Sequence, residues 1–501
     1  MVLQVLYTAA TTVLPFQYWP HTAVVVAVLV VIYAYAQGRS TTRERDLHAR
    51  VVILTGPFTP LGLVTLTALA KRGASIIALS PYPLSHPVPS LILPLLRSTT
   101  KNDNIFAEYC DLTSATSIRK FCTSFLTQND TRIDALVFAH EYPSIGRIWF
   151  FGGNARRDKE QREAEQREST SLASFLITTL LLPALLVAPV ERDIRIVSVV
   201  NPFYAAALPT FPTFLASTPS SPSPSSQPIV IAEGHRALRT VIVTRHLQRI
   251  LDSLPNRKAD EKEKTDPSKP PAPHPSNILA VSACPGISRR DTVAPLLGTG
   301  ERGWSLAYIV LFAPLLLLTK TSESALQTVL HCLFLPTPLK RAQLKVDAAA
   351  DDEVRKAQAQ ARAQAAPDEG AGAGKARGPA QVANVEVLKP GALYRECAVV
   401  QFDVPEPPAV PRPEAKDGQT PKGKAVESIL EDDGEFGGEA VGRAVWEWYE
   451  VRLKEWEARD RERVKEEEET AAREAAAEKD AGEPAAAVSG EASPEALAVS
   501  S

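Results

Sequence analysis

From Arg50 to His140 the chain alternates short β-branched runs with stretches of helical spacing. "RVVILTG", "ASIIALS", "NIFAEYCDL" and "IDALVFAH" read as strands. Residues 60–72 and "SATSIRKFCTSFL" read as helices, with a proline-rich loop after the second strand. Strands joined through helices, rather than through tight turns, build a parallel sheet covered on both faces. The pattern continues through the helix "TSLASFLITTLLLPALLV" and the strand "DIRIVSVV". A long amphipathic helix beginning near Glu233 and the strand "NILAVSAC" follow. The expected fold is α/β, a doubly wound parallel sheet.

No charged residue precedes Arg39, and Thr22–Ala36 is uninterruptedly apolar or weakly polar. A membrane-crossing helix needs roughly 20 such residues, which Pro20–Ala36 and its uncharged flanks nearly supply. Tyr18, Trp19, Tyr33 and Tyr35 suit the two interfaces, and Arg39, Arg43, Arg45 and Arg50 follow at once. Positive charge on that side predicts a single-pass anchor over residues 1–38 with the remaining chain cytosolic. The competing reading is a cleaved signal peptide, but it lacks a basic start and a clear small-x-small cleavage site. "WSLAYIVLFAPLLLL" (304–318) is too short for an obvious span. It reads as an ordinary buried helix, the lining of an apolar pocket, or a segment dipping into the bilayer beside the anchor.

With net charge -3 and 23% charged residues, the 501-residue chain shows no polyelectrolyte signal for nucleic acid. Five scattered cysteines without CxxC spacing fit reduced, buried thiols and give no metal site. Composition marks inserts at 156–169 (a charge-dense helical extension), 217–228, 255–276, 347–378 and 405–424, the last four polar, proline-rich or low in complexity. From 458 to 501 the chain reads as a charged, Ala/Glu-rich disordered tail.

The order of elements and several local signatures resemble the short-chain dehydrogenase/reductase family in its retinol-dehydrogenase-like branch. "VVILTGPFTPLGLVTLTALAKRGA" is similar to the first strand, glycine turn and helix, and "CDLTSATSIRKF" to the Asp-Leu segment after the third strand. "SFLITTLLLPAL", "SACPGI", "LLLLTKTSESALQTVLHCL", "GALYREC" and "VGRAVWEWYEVRL" follow in the family's order, so the resemblance spans residues 50–457. It implies a Rossmann-like domain, an NAD(P)(H) cofactor, an apolar alcohol or aldehyde substrate, and the endoplasmic reticulum membrane.

Residue by residue, the resemblance assigns Thr55, Gly56, Leu61 and Gly62 to the phosphate turn, with Pro60 where the family has its middle glycine. Asp111 and Leu112 take the adenine side, and Pro285, Gly286 and Ile287 the turn facing the nicotinamide. Arg290 stands where the family often has threonine. No acid or arginine ends "IALSPYPLSHP", so NAD and NADP are not distinguished. "FAHE" (138–141) replaces Asn-Asn-Ala-Gly.

The family's proton chemistry needs an asparagine, a serine, a tyrosine and a lysine. The same alignment puts Thr170, Asn201, Glu233 and Ala237 at those positions, so all four depart. Glu233 near His235, Tyr204 and His140 are the substitutes to consider. The expectation is a membrane-anchored chain with a degenerate site, weak or altered dinucleotide binding, and a sensing or scaffolding role. The alternatives are an active oxidoreductase on a lipid-like substrate with an unusual proton donor, and an interaction module whose inserts recruit partners.

Overall fold

The computed structural model describes residues 19–128, 132–148, 154–189, 192–216, 228–254, 276–299, 306–338, 386–405 and 434–481. Nearly all of the expected inserts 217–228, 255–276, 347–378 and 405–424, and residues 482–501, lie outside these ranges.

Among the described residues, eight strands form one sheet: β1 (Val51–Thr55), β2 (Ser75–Ser80), β3 (Ile105–Tyr109), β4 (Ala135–Phe138), β5 (Ile194–Val199), β6 (Ile278–Cys284), β7 (Leu393–Arg395) and β8 (Ala398–Val400). Their order is β3-β2-β1-β4-β5-β6-β7-β8, and all pairs are parallel except β7–β8. Every residue of β4, β5 and β6 is buried, as a sheet covered on both faces requires. The expected doubly wound α/β fold is the one observed.

Two helical layers cover the sheet. On one face α2 (Pro60–Ala70), α3 (Pro87–Thr100) and α8 (Ser322–Phe334) bury Leu61, Leu66, Leu69, Leu93 and Val329. On the other, α4 (Ala115–Leu126), α5 (Asn154–Val187), α6 (Ile229–Ser253) and α9 (Gly438–Ala481) contribute Ile118, Leu176, Val241 and Tyr449. All five cysteines are free and buried.

Three elements differ from the sequence reading. The proline-rich loop after β2 contains α3, because Pro87 and Pro89 occupy a first turn that needs no N–H, and the His86 ring accepts the Val88 N–H. The expected disordered tail begins as the continuation of α9 to Ala481. Its buried Asp460 accepts hydrogen bonds from Ser114 Oγ (3.0 Å), Thr116 N (2.9 Å) and Thr116 Oγ1 (2.9 Å) at the start of α4. The apolar run after Trp304 forms α7 (Leu306–Leu318), which is exposed along most of its length instead of buried.

Among the described residues, two helices are long and apolar enough to cross a membrane by length and composition. One is α1 (Trp19–Gln37), whose apolar window is 0% buried; the other, within α5, is 56% buried and is a core helix of the domain.

Candidate functional site

The sheet order reverses between β1 and β4, and in open α/β sheets the crevice beyond the carboxyl ends of such strands is where ligands bind. Most of the residues singled out from sequence meet there. Thr55 ends β1; Gly56 turns the chain at φ +65°; Thr59 caps α2, its hydroxyl accepting the Gly62 N–H at 3.0 Å. Pro60 at the first helical turn gives up no needed donor.

The two glycines are held by the chain's own packing. A Cβ on Gly62 would lie 1.9 Å from the Gly56 carbonyl oxygen, and one on Gly56 would lie 2.9 Å from His140 Cα. Contacts that close leave room only for glycine, whether or not a phosphate ever approaches.

The N-terminus of α2, which by the resemblance would receive a pyrophosphate, faces an internal carboxylate. Leu61 N donates to Asp291 Oδ1 at 2.9 Å, and Ser288 Oγ donates to Asp291 Oδ2 at 2.9 Å. Asp291 is fully buried; burial pushes its pKa up, partly offset by these donors. A carboxylate at a helix start has the charge and position of a bound anion.

The rest of the crevice is filled in the same way. His140 is buried against Gly56, and burial lowers its pKa, which favours the neutral ring. Its Nε2–H donates to the Thr170 carbonyl (2.8 Å), which fixes Nδ1 as acceptor for the Thr55 hydroxyl (2.7 Å). Tyr142 donates its hydroxyl to the Gly286 carbonyl at 2.8 Å, and Lys320 Nζ donates to the Pro285 carbonyl at 3.0 Å. Lys320 also pairs with Glu396 at 3.2 Å. Ile287 lends its carbonyl to Lys320 N at 3.0 Å. Arg290 is exposed. On the adenine side Asp111 Oδ1 accepts from Thr113 N (2.9 Å), and Leu112 is buried in the core. These residues do not fit a dinucleotide lying in the family's manner: its phosphate donor is used, and a histidine stands on its glycine turn.

The tetrad positions form a closed cage. Asn201 donates Nδ2–H to the Glu233 carbonyl (3.2 Å) and accepts Phe203 N (3.1 Å). Buried Glu233 lies between Arg167 (2.8 Å) and Arg236 (2.5 Å). Arg236 in turn donates to the Ser144 carbonyl at 2.5 Å. Ala237 is buried among apolar residues and Thr170 is tied to His140. Of the substitutes, Tyr204 stacks on Phe402 at 5.5 Å. His235 stacks on Phe214 at 4.8 Å and bonds Thr210 Oγ1 at 2.8 Å, and burial lowers its pKa to about 4.

Asp291, Tyr142 and Lys320 escaped the sequence reading. Only Asp291 carried a local signal, the capping-box-like spacing "SRRD" (288–291), in which Ser288 Oγ also accepts Asp291 N at 2.9 Å. A cavity of about 30 Å³ between α5, α6 and α9, bounded by Ser174, Thr240 and Tyr449, has room for only one or two waters.

The strand order, the glycine turn at the β1–α2 corner and the Pro285–Gly286 turn after β6 decide the architecture. Its fold is that of the short-chain dehydrogenases/reductases. Two curated relatives of this short-chain-dehydrogenase-like chain are uncharacterized oxidoreductases. The one from Schizosaccharomyces pombe is 25% identical over 316 residues, covering 63% of this chain and 77% of the relative. The one from Saccharomyces cerevisiae is 26% identical over 337 residues, covering 62% and 74%. No family model matches. Solved structures similar to the chain include a short-chain dehydrogenase from Sphingobium yanoikuyae in complex with NADPH (TM-score 0.33, 13% identity, 65% of this chain and 99% of that one). Another is a short-chain dehydrogenase/reductase from Brucella melitensis (TM-score 0.32, 17% identity, 49% and 79%).

Proposed function

We propose that this chain is a membrane-anchored protein of oxidoreductase descent that no longer carries out carbonyl reduction and works by sensing or scaffolding. One observation carries the reading. The place that would give and take a proton is a closed ion-pair cage of Glu233, Arg167 and Arg236, with alanine at 237. Both oxygens of Glu233 are taken up by guanidiniums, at 2.8 Å from Arg167 and 2.5 Å from Arg236, so the carboxyl group is not free to face a substrate. The names of both curated relatives support the descent, and the uncharged, exposed α1 followed by arginines supports a single-pass anchor with the domain in the cytosol. The retinol-dehydrogenase-like resemblance points to the endoplasmic reticulum.

Dinucleotide binding is then weak, because NAD(P)(H) must displace Asp291 from the Leu61 N–H. A charge-assisted hydrogen bond is worth about 1.5–3 kcal/mol, so Asp291→Ser should tighten NADPH binding by roughly 10–100-fold. Calorimetry on the full chain in detergent, with Gly56→Asp as the blocked control, tests this. Tight binding by the unaltered chain would overturn the weak-binding part of the reading, and NADPH-dependent turnover abolished by Glu233→Gln would establish an active oxidoreductase in its place.

A further inference from the structure

The helix α7 is apolar in every residue but Tyr308, and Tyr308 is its one buried residue. Leu306 is 78%, Val310 71% and Leu318 64% exposed, values matched by Val31 (67%) and Val24 (63%) on α1. Such a surface on a water-soluble domain is costly and marks an interaction face.

Its position relative to α1 says what covers it. The two helices pack against each other, and their carboxyl ends are tied at one point. Gln37, the last residue of α1, donates to the Thr319 carbonyl (3.3 Å), and its Oε1 accepts Thr321 N (3.2 Å) and Ser324 Oγ (2.7 Å). Both helices therefore leave the domain from the same polar junction. Around that junction Arg39 and Arg290 are exposed, and Arg289 sits 5.6 Å from the Phe312 ring. Thirteen residues at about 1.5 Å each make α7 roughly 20 Å long, too short for a hydrocarbon core of about 30 Å.

We propose that α7 is a second membrane element, inserted beside α1 into the cytosolic leaflet without crossing, with the arginines at headgroup level. Lipid acyl chains are the occupant of its exposed face. The domain is thereby seated on the bilayer at two points and held in one orientation, its crevice at a fixed height above the membrane. The inference rests on α1 crossing the bilayer, as proposed above.

The test uses the full chain, whose own cysteines are buried. Three variants, Val28→Cys on α1, Val310→Cys on α7 and Leu91→Cys on α3, are labelled with an environment-sensitive fluorophore in phosphatidylcholine vesicles. Leu91 and Val310 are equally exposed at 71%, so Leu91 is the control for a surface leucine in water. Loss of fluorescence to brominated lipid at 28 and 310, with none at 91, is the expected result. Quenching at 28 with 310 behaving like 91 would sink the inference and leave the anchor standing. A label at 310 shielded from both brominated lipid and aqueous iodide would mean a protein cover, such as a second copy, and equally overturn it. No quenching at 28 or 310 would remove the anchor as well.

Discussion

The turn between β1 and α2 and the first half of α6 lie on either side of one crevice, and they relate to the family pattern in opposite ways. The turn matches it at Thr55, Gly56 and Gly62; the helix departs at Glu233 and Ala237. The difference follows from what each position must satisfy. Gly56 and Gly62 are fixed by backbone contacts that the fold imposes on itself. Glu233 and Ala237 stand where only chemistry would require a tyrosine and a lysine, so packing is free to choose others. A glycine turn therefore testifies to a fold, and the residues facing it testify to a reaction.

The largest test of that contrast is on the helix side. Glu233→Gln leaves buried Arg236 and half-buried Arg167 without their carboxylate, and breaking a buried pair costs about 3–5 kcal/mol. Urea unfolding should show a loss of that size; unfolding like the parent would mean that the cage is not structural and that Glu233 is free for chemistry. On the turn side, Gly62→Ala drives a methyl into the Gly56 carbonyl, with an overpacking cost of about 1–3 kcal/mol. A neutral result would show that the turn relaxes easily and that its glycine had some other reason.

The smallest test concerns pH. His235 has its pKa lowered to about 4 by burial, with Arg239 adding to the effect, against about 6.5 when unfolded. Between these values the unfolded chain binds the proton and the folded chain does not, so stability falls as pH drops from 6.5 to 4 and levels off below. The melting temperature should follow that window, and His235→Gln should flatten the His235 part of it. An unchanged profile in the variant would assign the titration to other groups.

Much of the fold was legible because strand and helix periods are local. The order of β1 to β6 follows from runs such as "RVVILTG" and "DIRIVSVV". The exceptions are also local in cause: α3 was hidden by prolines that happen to sit in a first turn, and α7 looked like core because apolarity does not say what covers it. The tetrad departures were legible by alignment alone. The filling of the crevice was not, since Asp291 meets Leu61 across 230 residues and Lys320 meets Pro285 across 35. No periodicity encodes such pairings; only the closed sheet brings them together.

The bond from Asp460 to Thr116 spans 344 residues. At synthesis rates of about 5–20 residues per second, the start of α4 waits roughly 17–70 s for its bonds to Asp460. When Thr116 is made, β4 to β8 do not yet exist, and they are added during that wait. The domain is therefore complete only when α9, its last helix, is made and closes over the face on which α4 lies.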